Sequence, residues 1–216
     1  VAADQVGLGG THAVTGGTSG LGLLTGRWLA QRGAWRVVLA SRSGVLKASD
    51  TASAWAAATA SSAAASFERC DAGEATHVGR LAAFALPLAG LWHAAGTLDD
   101  GTLPTQSAVS LACVYAPKAH GGWALHAALA TSRVDAVALF SSVAALLGNA
   151  GQANYAAANA CLDALATCRR THGVAAASVQ WGAWAEAGMA ARGAAAERMT
   201  AMEAASGFAR IGLAQG

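Results

Sequence analysis

The chain has 216 residues, of which 54% are hydrophobic and 12% are charged, and its formal net charge at pH 7 is +2. This length suits one domain with a sizeable core, and the composition excludes an intrinsically disordered chain. The small net charge and the lack of a Lys/Arg run indicate neither a nucleic acid nor a membrane surface as partner.

One uncharged stretch, residues 136–162, raises the question of a membrane span. It contains Ser, Asn, Gln and Tyr side chains that would be costly in lipid, so we interpret it as a buried strand followed by a helix. The four cysteines have no metal-ligand spacing, and we expect reduced thiols in a cytoplasmic protein. Because the chain begins at Val1 rather than Met, we expect a piece of a longer polypeptide.

The first half of the chain alternates predicted strands and helices. The predicted strands lie at residues 11–15, 36–40, 66–70 and 88–93. The predicted helices lie at residues 21–31 and 73–85. The low-complexity segment 48–66 is given no function. A strand, a glycine-rich turn, a helix and a second strand open the chain, which predicts an α/β fold of the Rossmann type, a doubly wound parallel sheet with helices on both faces.

The second half continues this alternation. Further helices are predicted at residues 104–111, 116–130 and 152–171, and further strands at 134–141 and 175–181. Residues 194–215 are helix-prone and end where such a sheet usually adds a strand, so we expect the last strand to be missing. No repeat or second domain is evident, and residues 1–216 are predicted to form a single domain.

The segment TGGTSGLG at residues 15–22 is a candidate phosphate-binding turn. A turn between a strand and a helix that brings the backbone close to a pyrophosphate needs glycine, and the helix N-terminus favours the negative charge. The candidate cofactor residues of this turn are Gly16, Thr18, Ser19, Gly20, Leu21 and Gly22. A purely structural turn is the alternative.

The ends of the next strands supply further candidates for cofactor binding. Ser41 and Arg42 stand where an NAD-binding protein usually has an acidic residue, and a guanidinium suits the 2′-phosphate of NADPH, although a solvated arginine is the alternative. Asp71 could accept a hydrogen bond from the adenine amino group or cap the next helix. The backbone at the end of the fourth predicted strand could lie under adenosine, at His93, Ala94, Ala95 and Gly96.

Tyr155 is the candidate proton donor. The ordinary pKa of tyrosine, near 10, is too high for an efficient acid, so we expect a nearby cation, and Lys118 is one of only two lysines. Ser142 could orient a carbonyl, and Asn159, one helical turn after Tyr155, could hold a water or position Lys118. A half-buried packing tyrosine is the alternative.

These residues resemble the ketoreductase domain of type I polyketide and fatty acid synthases, within the short-chain dehydrogenase/reductase superfamily. The similarity runs from residue 10 to about residue 189. Its motifs, in the family's order, are TGGTSGLG, LASRSG, CDAGE, HAAGTLDDGTL, PKAHGGWALH, FSSVAALLGNAGQANYAAAN and WGAWAEAGM. Most of the superfamily has a lysine four residues after the tyrosine, whereas ketoreductase domains have asparagine there and a lysine from the preceding helix, as Asn159 and Lys118 do here.

The resemblance implies NADPH as the cofactor, a β-ketoacyl substrate on an acyl carrier protein, and other synthase domains in the same polypeptide. It implies that Tyr155 protonates the nascent alkoxide, that Ser142 binds the β-carbonyl, and that Lys118 and Asn159 complete the tetrad. It also implies an accompanying N-terminal structural subdomain, which we do not expect within these 216 residues.

The resemblance extends to stereochemistry. Leu98, Asp99 and Asp100 match the LDD signature of B-type domains, which give a D-configured 3-hydroxyl, and Leu147 and Asn154 suit that type, whereas Ala150 replaces a frequent proline. An acidic turn without substrate contact is the alternative. The same resemblance places Trp181 and Met189 over nicotinamide and substrate, and core packing is the alternative for Trp181.

Two other functions remain open from the sequence. One is a free-standing carbonyl reductase for small or CoA-linked substrates. The other is a non-catalytic nucleotide-binding or scaffolding domain.

Overall fold

The computed structural model describes residues 9–46, 55, 63–187 and 209–213. The strands are β1 (Thr11–Thr15), β2 (Arg36–Ser41), β3 (Ala64–Arg69), β4 (Leu88–His93), β5 (Ala136–Ser142) and β6 (Ala177–Trp181). All pairings are parallel, and the six strands follow the order β3-β2-β1-β4-β5-β6. This order reverses between β1 and β4, which is where Rossmann-type sheets open a ligand crevice.

Helices connect these strands. They are α1 (Gly20–Gln31), α2 (Ala75–Ala85), α3 (Ala108–Tyr115), α4 (Gly121–Ala128), α5 (Ala144–Leu147) and α6 (Ala153–Thr171). A short 3₁₀-helix, Leu103–Thr105, precedes α3, and a π-helical turn, Ala116–His120, joins α3 to α4. Among the described residues, no helix is long and apolar enough to cross a membrane.

Two cores flank the sheet because successive strand side chains point to opposite faces. On one face, Val14, Val37 and Leu39 pack with residues of α1 and with Trp55. On the other face, Ala13, Val38, Leu91 and Leu139 pack with residues of α2, α4 and α6. The predicted doubly wound sheet with helices on both faces is therefore confirmed.

The predicted bounds of β1 and β4 are confirmed, and those of β2, β3, β5 and β6 differ at their ends by one or two residues. Three features of the helices also differ from the sequence-based expectation. The helix predicted at 104–111 is wrong over its first half because Ser107 caps α3: its Oγ accepts a hydrogen bond from Ser110 N at 3.1 Å. The helix predicted at 116–130 begins instead as the π-helical turn. The short helix α5 was not predicted.

At the edge beyond β6, a single parallel bridge joins Trp184 to Ile211. Ala185 N donates to Ile211 O at 2.9 Å, and Ile211 N donates to Ala183 O at 2.8 Å. The bridge between Trp184 and Ile211 lies at the edge of the sheet where a further strand would pair. Met189 and most of the helix predicted at 194–215 lie outside the described residues.

Candidate active site

The glycine-rich turn forms a narrow cradle between β1 and α1. Gly16 and Gly20 have φ values of +68° and +53°, which favour glycine. A Cβ on Gly16 would lie 2.8 Å from Ala94 O, and a Cβ on Gly22 would clash with Gly16 O. The backbone is thus as close-packed here as a dinucleotide turn requires.

The start of α1 suits an anion. Its N-cap, Ser19, makes no side-chain capping bond, and the first turn of the helix has no acidic residue. Backbone N–H groups at a helix start favour negative charge. Together with the close-packed glycines, this fits the pyrophosphate of a nicotinamide dinucleotide. Leu21 follows in the first turn, and Thr18 is buried beneath the turn.

Ser41 and Arg42 lie at the end of β2, beside the cradle. Ser41 Oγ accepts a hydrogen bond from Gly44 N at 3.1 Å and lies 3.2 Å from Ser43 Oγ, which fixes the turn. The side chain of Arg42 is exposed, and no hydrogen bond to it is seen among the described residues. This guanidinium is available to a phosphate group.

The side chain of Asp71 accepts a hydrogen bond within the turn that follows β3. Its Oδ1 accepts a hydrogen bond from Gly73 N at 3.0 Å, and Asp71 N donates to His77 Nδ1 at 3.3 Å. Asp71 therefore closes its own turn, whereas the N-cap of α2 is Glu74 without a side-chain capping bond, so the alternative that Asp71 caps this helix is wrong and the contact with adenine stays a prediction. Ala94, Ala95 and Gly96 follow β4, and Ala94 and Ala95 face Gly16 across the cradle.

His93 lies behind the cradle, fully buried. Its Nδ1 is 2.7 Å from Thr15 Oγ1, and its Nε2 is 3.4 Å from Lys118 O. Burial, followed by the nearby charge of Lys118, lowers the pKa of His93 to about 4. The imidazole is therefore neutral and links β4 to the π-helical turn.

Lys118 lies at the centre of that π-helical turn and is 3% exposed. Its Nζ donates to Phe140 O at 2.8 Å and lies 5.5 Å from the centroid of the Tyr155 ring. Burial lowers the pKa of Lys118 to about 8, and Asp163 opposes this shift. The structure thus places a cation beside the candidate proton donor, as the sequence predicts.

Tyr155 and its neighbours complete the cluster. Asn159 Nδ2 donates to Tyr155 O at 2.8 Å, and the buried Asn159 Oδ1 has no hydrogen-bond partner among the described residues. Burial raises the pKa of Tyr155, whereas the nearby polar side chains of Asn159 and Ser142 lower it. Desolvation therefore outweighs the stabilisation of phenolate that the sequence argument expected, and Tyr155 keeps its proton. Ser142 Oγ also accepts from Ala144 N at 3.2 Å.

The loop of Leu98, Asp99 and Asp100 is joined to the start of α6. Asn154 Nδ2 donates to Asp99 O at 2.8 Å, while Asn154 Oδ1 accepts from Tyr155 N at 2.7 Å. Gln152 Nε2 donates to Asp100 Oδ1 at 3.2 Å. One buried asparagine therefore connects this acidic loop directly to the tyrosine.

Two predicted residues, Leu147 and Trp181, stand at the ends of α5 and β6. Leu147 ends α5 and is 62% exposed. Trp181 ends β6, and its ring lies 5.7 Å from that of Phe140 and 5.4 Å from that of Trp184. Its buried Nε1 has no hydrogen-bond partner among the described residues. Packing thus accounts for the ring of Trp181 but not for its N–H group.

Sequence reasoning missed several supporting residues. They are Thr15, which contacts His93; Gln152, which contacts Asp100; and Asp163, which accepts hydrogen bonds from Ser178 Oγ and Gln180 Nε2. Thr15 and Gln152 stand inside motifs that were recognised, but nothing in their spacing indicates these partners. Only the acidic character of Asp163, on a helix otherwise free of acids, could have drawn attention to it.

A family model described as the KR domain matches residues 10–186, which is more than half of the chain. Polyketide synthase GfsB from Streptomyces halstedii is 46% identical over 196 residues, which cover 89% of this chain and 4% of that synthase. The phthioceranic/hydroxyphthioceranic acid synthase of Mycobacterium tuberculosis (strain ATCC 25618 / H37Rv) is 39% identical over 181 residues, which cover 83% of this chain and 8% of that synthase.

The solved structure of A-type ketoreductases from a modular polyketide synthase matches with a TM-score of 0.83 and 38% identity, over 89% of this chain and 41% of that one. The chain therefore spans a small part of the curated synthases and less than half of the solved ketoreductase chain. On the match of the family model, the sequence identity and the shared fold, this chain belongs to the KR family, the ketoreductase domains of polyketide synthases, with a short-chain dehydrogenase/reductase fold.

Proposed function

We propose that this domain reduces the β-keto group of an acyl thioester on an acyl carrier protein to the 3-hydroxyacyl thioester, with NADPH as the reductant. The observation that carries the proposal is the cluster of Tyr155, Lys118, Ser142 and Asn159 beside a close-packed glycine cradle. The domain would act within a longer cytoplasmic synthase that also supplies the carrier protein.

The residues divide the chemistry between them. NADPH, when bound, supplies a hydride to the β-carbon. Ser142 and Tyr155 would hydrogen-bond the carbonyl oxygen, and Tyr155 donates its proton as negative charge develops there. Lys118, 5.5 Å from the centre of the Tyr155 ring, stabilises the phenolate that forms. The unpaired Asn159 Oδ1 offers a buried acceptor to a water that returns the proton.

The proposal is tested by mixing the purified chain with NADPH and a β-ketoacyl pantetheine thioester and following NADPH absorbance. We expect steady turnover, and a higher kcat/KM when the same acyl group is carried on an acyl carrier protein. A folded chain that binds NADPH without turnover of any β-ketoacyl thioester would contradict the proposal. A preference for small free ketones would instead favour the free-standing type of reductase.

The choice of NADPH rests on Arg42. Replacing Arg42 with Ala should weaken NADPH binding about tenfold or more, because a charge-assisted hydrogen bond contributes about 1.5–3 kcal/mol, and should leave NADH binding nearly unchanged. Both dissociation constants can be measured by fluorescence titration. Arg32→Ala is the matched control, since Arg32 lies at the other end of α1 from the cradle. Equal weakening of both cofactors would refute the role of Arg42.

We propose a D-configured product because the acidic loop is fixed to the tyrosine helix through Asn154. In wild type, chiral chromatography of the 3-hydroxyacyl product should show mainly the D form. Asn154→Ala should lower this enantiomeric excess, because Asp99 O loses its bond to the helix. Thr167→Ala, at the far exposed end of α6, should not change it. A mainly L product from wild type would refute the stereochemical proposal.

A further inference from the structure

A fully buried histidine outside the proposed tetrad contacts the backbone of the tetrad lysine. His93 is 0% exposed and ends β4, where its imidazole lies between Thr15 of β1 and Lys118 of the π-helical turn. The side chain does not reach the cradle surface. Its contacts therefore need an explanation other than cofactor binding.

The two contacts of His93 fix its tautomer. Lys118 O is a carbonyl oxygen and can only accept, so the imidazole carries its proton on Nε2 and donates it there at 3.4 Å. Nδ1 is then an acceptor, and the Thr15 hydroxyl donates to it at 2.7 Å. Both ring nitrogens of a neutral imidazole are thus used, which agrees with a pKa that burial lowers to about 4.

The ring of His93 packs closely against the π-helical turn and the helix that follows it. Within the turn, Gly121 N donates to Ala116 O, five residues earlier, and π-helical turns of this kind frequently occur at functional sites. A Cβ on Gly121 would lie 3.3 Å from His93 Cε1, and a Cβ on Gly122 would lie 3.9 Å from His93 Cδ2. The distance at position 121 is tighter than an ordinary van der Waals contact, so glycine there lets the helix backbone approach the imidazole closely, whereas the distance at position 122 is an ordinary contact.

We propose that His93 is a positioning residue for Lys118: through Lys118 O it holds the π-helical turn at the place from which Lys118 Nζ reaches Phe140 O and the Tyr155 ring. The Thr15 hydroxyl holds His93 in the tautomer that this requires. The link between this geometry and turnover rests on the proposed function, in which Lys118 assists Tyr155. The geometry itself can be tested without turnover.

The kinetic test compares His93→Leu and His93→Gln with wild type. His93→Leu should lower kcat about tenfold or more, since small misplacements of catalytic groups are costly, with less than about twofold change in the NADPH dissociation constant. His93→Gln keeps an N–H donor and should recover part of the loss. In a Lys118→Met background, His93→Leu should cause no further loss of kcat. An independent, multiplicative loss in the double variant would overturn the proposal.

The control is His12→Leu, because His12 is also 0% exposed but lies near the start of β1, where it accepts a hydrogen bond from Trp92 Nε1 at 3.3 Å. It should lower the melting temperature without lowering kcat relative to wild type. A loss of kcat in His12→Leu as large as that in His93→Leu would reduce His93 to a general structural role.

A second measurement is independent of reductase activity. The chain has two lysines, Lys47 and Lys118, so acylation of each amine can be followed by mass spectrometry with Lys47 as the internal reference. Lys118 should react slowly in wild type and in His12→Leu, and several-fold faster in His93→Leu. Faster labelling without wild-type turnover would support the positioning role and refute the proposed function. Unchanged labelling in an active enzyme would refute the positioning role alone.

Discussion

Tyr155→Phe is expected to lower kcat for a β-ketoacyl thioester by about 10²- to 10⁴-fold, the usual contribution of a positioned proton donor. The variant loses only the hydroxyl group. The ring that lies 5.5 Å from Lys118 Nζ stays in place, and so does the glycine cradle between β1 and α1. NADPH affinity should therefore remain close to that of wild type.

The chain supplies its own control for this substitution. Tyr115, the other of its two tyrosines, ends α3 and is half-buried, and Tyr115→Phe removes an identical hydroxyl group. NADPH consumption by Tyr115→Phe should equal that of wild type. Equal turnover in Tyr155→Phe and wild type would show that the proton comes from elsewhere and would remove Tyr155 from the proposed tetrad.

The fold could be predicted from the sequence where burial is decided locally. β1 lies between Gly10 and Gly16, β4 begins directly after Pro87, and the structure gives both strands the predicted bounds. The region between β4 and β5 was harder: the sequence predicts two separate helices, whereas α3, the π-helical turn and α4 follow one another without a gap. A hydrogen bond that spans five residues leaves no mark in hydrophobic periodicity, so the sequence could not show where Lys118 departs from a regular helix.

The site could be predicted in its residue types but not in its contacts. Parallel strands bring their carboxyl ends to one edge, which is enough to place Ser142, Tyr155 and the glycine turn together. The bond from Asn154 to Asp99 joins residues 55 positions apart, and its existence depends on how α6 packs on the sheet. His93 shows the same limit, because its place in a motif does not reveal that its ring turns away from the cleft toward Lys118.

Lys118→Met should separate activity from stability. We expect turnover to fall steeply, since the variant loses the Lys118 cation beside Tyr155, while the free energy of unfolding at pH 7 stays equal to that of wild type or rises. Lys118 is 3% exposed, and its pKa falls from 10.5 to about 8 because burial disfavours the charged amine. A shift of this size corresponds to about 3 kcal/mol of destabilisation at neutral pH, offset by about 1 kcal/mol for the hydrogen bond to Phe140 O.

The pH dependence follows from the same shift. Below about pH 8, Lys118 is protonated in both the folded and the unfolded chain, so wild type bears the full cost of burying the charge. Between about pH 8 and the unfolded value of 10.5, the unfolded chain binds more protons at this site than the folded chain. Wild type therefore gains stability relative to Lys118→Met as the pH rises through this window.

Urea unfolding of both proteins at pH 7 and at pH 9.5 measures this difference. Cys70, whose pKa is raised to about 11 by burial, also titrates near the upper end, but it is present in both proteins and cancels. Lys47→Met removes the same charge elsewhere and serves as the control for net charge. Two outcomes would show that burial does not destabilise the protonated amine of Lys118. One is a Lys118→Met variant that is clearly less stable than wild type at pH 7. The other is a difference in stability between the two proteins that does not change with pH. If both occur together, with the variant less stable than wild type by the same amount at pH 7 and at pH 9.5, Lys118 has an ordinary packing role. The loss of turnover would then follow from a local change of structure and not from the missing charge.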